Sequence, residues 1–518
     1  MSKQTFLQGT LILIMAGLIT RFLGFINKIV VARIMGAEGV GLYMMAVPTL
    51  LLIITLTQLG LPVAISKLIA EADAENDTKK MKKILVVSLA VTGSSSIIFT
   101  IGVMAAAPFL SSFLLTDARA LYPLLAIIPI VPIVALSAVL RGYFQGRQNM
   151  RPTAYSQVIE QVVRITLVAI CTKAFLPYGV EYAAAGAMLS VVAGELISLL
   201  YMIWMFKAKK PMKVRKQFFS YVKGGKKTFN DLMTIALPTT GSRLVGSLSF
   251  FFEPIVVAQS LAIAGVATAA ATAQYGELSG FVIPLLTLPT FITASLSVSL
   301  VPAISEAAAR NDYRTIQKRL RQASRVAFIS GGISVVVLYV FAVPVMDLMY
   351  DAPHAAVFLH VMAPFTIFLY FQGPLQATLQ ALNMAKAAMY NSLAGAIVKI
   401  GTIAVLASQP GLGIMGAALG ITVSMVLVTL LHFTAVAKTI SITIETREIL
   451  SILVIMLGSG WAGHWFFHEA LQHSLLLPRT ILALILTVLC YVAGLFLFRI
   501  VTIKHVSRLP FFTLFQKK

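Results

Sequence analysis

Apolar runs of about 20 residues recur along the whole chain, divided by short charged or Pro/Gly-bearing segments. A helix of that length crosses the hydrocarbon layer of a bilayer. Fourteen runs can be marked, at 7–32, 40–64, 84–107, 120–141, 154–174, 183–206, 231–257, 276–302, 324–344, 355–379, 388–407, 414–436, 448–467 and 480–500. Backbone groups in lipid must be paired within their own segment, so each run is read as a helix and not as a barrel strand. Of 518 residues, 58% are apolar and 12% charged, against about 45–50% and about 25% in soluble domains. That balance excludes a soluble globular protein, a disordered chain and a secreted disulfide scaffold. The two cysteines, Cys171 and Cys490, both fall inside apolar runs and provide no disulfide framework or zinc site. The first run holds Arg21, Asn27 and Lys28 and lacks a small-residue cleavage site, so it is read as the first span.

The net charge of +22 would suggest nucleic acid in a soluble protein. Here the basic residues lie between apolar runs, which argues against nucleic acid and for topogenic signals facing an anionic leaflet. With residues within two of a run's end counted in the adjoining connection, the N-terminus, the even-numbered connections and the C-terminal tail carry 32 of the 41 Lys and Arg. The odd-numbered connections carry four: Arg33, Arg119, Lys173 and Arg479. Both termini are therefore expected in the cytoplasm, with the chain multi-pass in the cytoplasmic (inner) membrane. The organisation expected is an N-lobe of helices 1–6 (1–206), a basic cytoplasmic linker (207–230), a C-lobe of helices 7–12 (231–440), and helices 13–14 with a cytoplasmic tail (441–518).

The two lobes resemble each other in sequence. Arg21-Phe-Leu-Gly24 matches Arg243-Leu-Val-Gly246. Ile65-Ser66 through Asn76-Asp77 matches Ile304-Ser305 through Asn311-Asp312, and Asn149-Met150 matches Asn383-Met384. Arg164-Ile165 matches Lys399-Ile400, and Ala185-Gly186-Ala187 matches Met415-Gly416-Ala417. The common order of these matches, at offsets of about 222–239, is the signal of an internal repeat. Helix 1 pairs with helix 7, and an even offset preserves orientation, so the repeat is parallel about an axis along the membrane normal. The fold expected is an all-α polytopic membrane protein of 14 helices, two six-helix lobes in pseudo-two-fold repeat plus two C-terminal helices. Two such bundles can rock around a central cleft, which favours a carrier.

Ionisable groups inside spans are costly and tend to face a cavity or a partner. The cations are Arg21, Lys28, Arg164, Arg243 and Lys399; the acids include Glu160, Glu195, Glu253 and Glu277. A cleft lined by the five cations suits an anionic head group such as a diphosphate, because guanidinium forks match phosphate oxygens. Glu160, Glu253 and Glu277 are candidate coupling or pairing acids; Glu160 and Arg164 stand i,i+4 and can pair on one helix. Glu253 precedes Pro254, where a kink is favoured. His464 and His468 have a spacing that can ligate a metal, but two histidines are better read as interfacial packing, so no metal site is expected. No Gly-Lys-Ser/Thr phosphate loop occurs, so no cofactor and no intrinsic ATPase are expected. Coupling to Na+, H+ or membrane potential is left as the energy source.

The segment from Leu140-Arg-Gly-Tyr-Phe-Gln-Gly-Arg-Gln-Asn-Met-Arg-Pro to Val163-Arg164 resembles the helix 4–5 signature of the polysaccharide-export and lipid II flippase branch of the MOP (multidrug, oligosaccharidyl-lipid, polysaccharide) exporter superfamily. Arg21-Phe-Leu-Gly-Phe-Ile-Asn-Lys28 through Tyr43 is similar too. The resemblance implies a transporter, not an enzyme: a flippase carrying undecaprenyl-diphosphate-linked precursors across the membrane by alternating access. In the sporulation branch the cargo would be lipid II for spore cortex peptidoglycan. Implied partners are the lipid-linked anionic glycan, membrane lipids and peptidoglycan synthases. Lipid II flippases of this branch carry cavity arginines in helices 1, 2 and 8. Arg21 matches the first, but Asn27 and Ala46 stand where others fall, and helix 8 has no arginine, so Arg243 in helix 7 would take that part. The alternatives are a flippase for another lipid-linked polysaccharide and a cation-coupled small-molecule exporter of the same superfamily. A membrane-embedded glycosyltransferase would need a catalytic carboxylate in a substantial outer loop, whereas Asp347 and Asp351 sit in a short one. A scaffold would tolerate loss of Arg21 or Arg243.

Overall fold

The computed structural model describes residues 6–208, 218–440, 446–472 and 474–501, and among them there are helices and no strands. The first half of the chain forms α1 (Phe6–Gln58), α2 (Leu61–Ala74), α3 (Thr78–Phe109), α4 (Leu121–Ile127), α5 (Ile130–Gly146), α6 (Arg151–Phe175), α7 (Val180–Ala208) and α8 (Phe218–Lys223). The second half forms α9 (Lys226–Ile263), α10 (Thr268–Tyr275), α11 (Ile283–Thr287), α12 (Thr290–Ala309), α13 (Tyr313–Val340), α14 (Ala342–Tyr350), α15 (Ala356–Met362), α16 (Thr366–Ala381), α17 (Ala385–Ala407), α18 (Ile414–Ala437), α19 (Thr446–Trp465) and α20 (Leu476–Leu497).

Twelve helical stretches are long and apolar enough to cross a membrane. The first, Met15–Ala74, has 60 residues and would be about 90 Å long if straight, three times the hydrocarbon thickness. It is two helices joined at a kink at Gly36, whose φ of 66° and ψ of −175° break the helix where only a residue without Cβ sits easily, and it has the length for two crossings. The 25-residue α6 also has crossing length; Arg151, Glu160, Arg164 and Lys173 lower its apolarity. With these two additions the described residues contain fourteen stretches of crossing length.

The chain divides into two compact units. The first comprises the described residues up to Phe281 together with Ala396–Gly420; the second comprises Val282–Gly395 and the described residues from Ile421 onward. In the first unit Leu61, Ile65 and Ile69 of α2 pack with Leu85 of α3, Tyr143 of α5 and Met202 of α7. In the second, Leu300 and Ile304 of α12 pack with Ile316 and Leu320 of α13 and Leu379 of α16. Ile452 and Ile455 of α19 pack with Tyr491 and Leu495 of α20, and the Tyr491 hydroxyl donates to the Ile329 carbonyl of α13 at 2.9 Å.

The repeat is visible in the turns. Asn76 and Asn311 both have a φ of 55°, a conformation asparagine tolerates better than most residues. The amides of Asp77 and Asp312 bond back to Ala72 and Ala307, both at 2.9 Å. The carboxylates of Asp77 and Asp312 then cap α3 and α13, accepting from the amides of Lys80 at 2.8 Å and Thr315 at 3.0 Å. In the second matched turn the left-handed residues are Gln148 (φ 53°) and Asn383 (φ 61°). The backbone therefore pairs Asn149 with Met384, one residue off the match read from the letters, because the turn is fixed by φ and not by the asparagine.

Candidate functional site

All eight candidate residues belong to the first unit. Its most polar interior lies where α5, α6 and α7 meet. Arg141 Nη2 of α5 donates to Glu195 Oε1 of α7 at 2.7 Å and lies 3.8 Å from Glu160 Oε2 of α6. Glu160 also accepts from Arg164, one turn along the same helix. The side chains of Glu160 and Glu195 are 11% and 7% exposed. Close approach of α7 to α6 depends on Gly194, where a Cβ would stand 2.9 Å from the Glu160 carbonyl and 3.4 Å from Arg164 Cβ. Two carboxylates and two guanidiniums cancel, which is how four ions survive away from water.

The α1 surface continues this polar zone. Arg21, Gly24 and Lys28 share one stripe at i, i+3 and i+7, and a Cβ on Gly24 would lie 3.9 Å from Gln161 Oε1 of α6. Arg21 is exposed, Lys28 half-buried and Asn27 buried. Among the described residues, Asn27 Oδ1, Gln161 Oε1 and the Nε atoms of Arg141 and Arg164 are buried without hydrogen-bond partners. Such atoms are rare in folded proteins and mark a place for water or a polar guest.

The C-terminal counterpart of Arg164 has a different partner. Lys399 Nζ of α17 donates to Glu253 Oε2 of α9 at 2.7 Å, with side chains 13% and 6% exposed. Glu253 is thus occupied by the chain's own ammonium. Arg243 is exposed on α9, one turn before Ser247, whose hydroxyl lies 2.8 Å from that of Thr55 on α1. Glu277 is buried in the π-helical turn Gly276–Val282. So two of the five candidate cations, Arg164 and Lys399, have carboxylate partners, while Arg21, Lys28 and Arg243 form no ion pair among the described residues.

Polar and close-packed contacts draw several segments of this unit together. Arg119 donates to Glu38 Oε1 at 2.6 Å and to Asp117 Oδ2 at 2.9 Å, and the Thr272 hydroxyl donates to the same Asp117 oxygen at 2.8 Å. Burial raises the Asp117 carboxyl's pKa, but the hydrogen bonds from Arg119 and Thr272 outweigh it and hold it below the usual carboxylate range. The Gln259 amide donates to the Phe113 carbonyl at 2.6 Å. The second limb of α1 touches the Gly276–Val282 turn so closely that a Cβ on Gly276 would stand 2.1 Å from the Ala37 carbonyl. These contacts tie α1 just after its Gly36 kink and the α3–α4 connection to the segment between α9 and α11.

Sequence reasoning missed Arg141, which stands at the last position of the fourth run and was counted with the connection after it, and gave Glu195 no role. The one sequence signal was Arg141's place in the Leu140–Arg164 signature. His464 and His468 stack edge-on with ring centroids 4.3 Å apart.

The model of the family described as "Polysaccharide biosynthesis protein" matches residues 6–308, and the MatE model matches 249–405. The chain is 64% identical over 458 residues to stage V sporulation protein B of Bacillus subtilis (strain 168), covering 88% of each. It is 24% identical over 419 residues to the lipid II flippase MurJ of the same organism, covering 76% of each. Among solved structures, lipid II flippase MurJ in an inward closed conformation superposes with a TM-score of 0.69 at 16% identity, covering 94% of this chain and 98% of that one.

Proposed function

Because the chain belongs to the polysaccharide biosynthesis protein family, multi-pass membrane transporters of the MOP superfamily and not enzymes, we propose that it is a flippase whose cargo is undecaprenyl-diphosphate-linked peptidoglycan precursor, lipid II. The observation that carries the reading is the charge left over in the first unit. With Arg164 and Lys399 neutralised by Glu160 and Glu253, the cations without a carboxylate are Arg21, Lys28 and Arg243, two of them exposed. Three positive charges match a diphosphate, and guanidinium forks suit its oxygens.

The chain sits in the cytoplasmic membrane with both termini inside, as its Lys/Arg bias supports. The diphosphate enters from the cytoplasmic side with the outer end shut by the Glu38–Arg119–Asp117–Thr272 contacts. Arg21 and Arg243 neutralise it in a site of low dielectric. Release of the Asp117 contacts then opens the opposite side, and the head group leaves. Membrane potential, an ion gradient or consumption by a peptidoglycan synthase sets direction. The relationship to a sporulation protein supports spore cortex as the destination. A cation-coupled exporter is less favoured, because Lys399 already fills the place a cation would take beside Glu253.

The test is translocation of fluorescent lipid II in proteoliposomes. Arg21→Ala and Arg243→Ala should each slow it at least about tenfold, the loss of one charge-assisted phosphate contact, with unchanged protein levels. Wild-type rates in both variants, or export of a soluble organic cation with no lipid movement, would overturn the reading.

A further inference from the structure

A polar seam in the first unit, where α1 meets α6 with α5 and α7 behind, has no part in the phosphate contacts proposed above. Four buried polar atoms there have no hydrogen-bond partner among the described residues: Asn27 Oδ1 on α1, Gln161 Oε1 and Arg164 Nε on α6, and Arg141 Nε on α5. Asn27 as a whole is 6% exposed. Gln161 and Arg164 stand i, i+3 on α6, and Asn27 stands i+3 from Gly24 on α1. Gly24 faces Gln161 across the seam and puts no side chain into it; even an added Cβ would lie 3.9 Å from Gln161 Oε1.

The charge at the seam is balanced, because Arg141 and Arg164 are met by Glu160 and Glu195. The balance is local. Glu195 stands about 20 Å of helix before the end of α7 at Ala208, and Asn27 about 30 Å after the start of α1 at Phe6. A second anion would meet the two carboxylates, and a cation would meet the two guanidiniums. A hydrocarbon would leave all four atoms unpaired, which is unfavourable inside a span. Phosphate oxygens only accept hydrogen bonds and an ammonium only donates them. Two unpaired acceptors beside two unpaired donors call for neutral groups that do both, namely hydroxyls and secondary amides. An N-acetylated sugar carries both kinds.

The place fits as well as the chemistry. From Arg21 to Asn27 is about 9 Å of rise along α1, so a diphosphate held at Arg21 leaves the sugar bonded to it within reach of the seam. The side chains of Arg141 and Arg164 are 22% and 20% exposed, so the seam is not sealed. The four atoms themselves are covered, and a small separation of α1 from α6 at Gly24 uncovers them.

We infer that this seam is a glycan subsite: Asn27, Gln161 and the Nε atoms of Arg141 and Arg164 take the acetamido and hydroxyl groups of the sugar next to the diphosphate, and so distinguish a loaded carrier lipid from a bare one. The inference rests on the flippase reading, and it makes Asn27 and Gln161 specificity residues of that transport.

The experiment uses the purified full-length protein in a neutral detergent. Binding of undecaprenyl diphosphate and of undecaprenyl-diphosphate-linked N-acetylglucosamine is titrated by native mass spectrometry, with thermal melting of the lipid-free protein alongside. The wild type should bind the sugar-bearing lipid about tenfold more tightly. Asn27→Leu and Gln161→Met should each reduce that preference about five-fold, the loss of one neutral hydrogen bond, and leave binding of the bare diphosphate unchanged. Each variant removes an unpaired buried acceptor, so neither should lower the melting midpoint, whereas loss of an amide with a purely structural role would. Arg21→Ala should weaken both lipids alike and keep the preference. Equal binding of the two lipids by the wild type sinks the subsite and leaves the flippase reading standing; binding of neither sinks both. A preference intact in both variants, as for a site that holds only water, or equal weakening of the two lipids in both variants, also overturns the inference.

Discussion

Replacing Lys399 with methionine removes the charge and keeps most of the volume, leaving Glu253 alone in the interior. At the observed 2.7 Å and an effective dielectric of about 20, the gross attraction between ammonium and carboxylate is about 6 kcal/mol. Desolvation of the two ions cancels much of it, since each costs several kcal/mol when taken from water. The pair is therefore nearly neutral for stability, but half of it is not. A carboxylate 6% exposed that loses its partner should destabilise the fold by about 3–5 kcal/mol. The double variant Glu253→Gln/Lys399→Met removes both charges and should recover most of that loss, a coupling of about 2–3 kcal/mol. Thermal and denaturant unfolding of purified protein measures all four corners of the cycle. The lone Glu253 carboxylate should also draw in a monovalent cation. Exchanging N-methylglucamine for Na+ should then raise the melting midpoint of Lys399→Met and leave the wild type unmoved. A Lys399→Met protein as stable as wild type in both salts, or a double variant as unstable as the single one, would refute the view that Lys399 acts as a built-in counter-ion.

Arg141→Ala should strand Glu160 and Glu195 together and cost about 3–5 kcal/mol, seen as a lowered melting midpoint; Glu195→Gln in the same chain should restore part of it. Gly276→Val places a side chain against the Ala37 carbonyl and should loosen this end, read as faster labelling of a cysteine introduced at the buried Ala271, which leaves the Thr272–Asp117 bond in place. Because Asp117 is held below the usual carboxylate range, its contribution is complete above the unfolded value of about 3.9 and is lost as pH falls through the lower folded value. The same labelling rate should accordingly be flat from pH 8 to pH 5, whereas Asp117→Asn should raise it throughout that interval.

The spans were legible in the letters because lipid imposes a length and a composition on any segment that crosses it, and apolar runs satisfy both. α6 shows why the count did not hinge on hydropathy alone: its Glu160 and Arg164 neutralise each other in place, so four ionisable residues do not stop it crossing. The repeat was legible because Asn76-Asp77 and Asn311-Asp312 are required by the same left-handed turn and the same helix cap. Partnership was not legible. Arg164 and Lys399 are equivalent in the repeat, yet Glu160 lies on Arg164's own helix while Glu253 reaches Lys399 from a helix 146 residues earlier. Arg141 looked like a loop cation until α5 placed it between Glu160 and Glu195.

The amino-acid order on its own fixed a helical, fourteen-span membrane protein with an internal repeat and more cations than acids in its spans, since bilayer thickness and the turn geometry of asparagine act locally. Only the packing decided which of those charges cancel and which stay available to a guest. That choice is made by contacts between helices far apart in the chain, where a few ångströms separate a salt bridge from an unpaired ion.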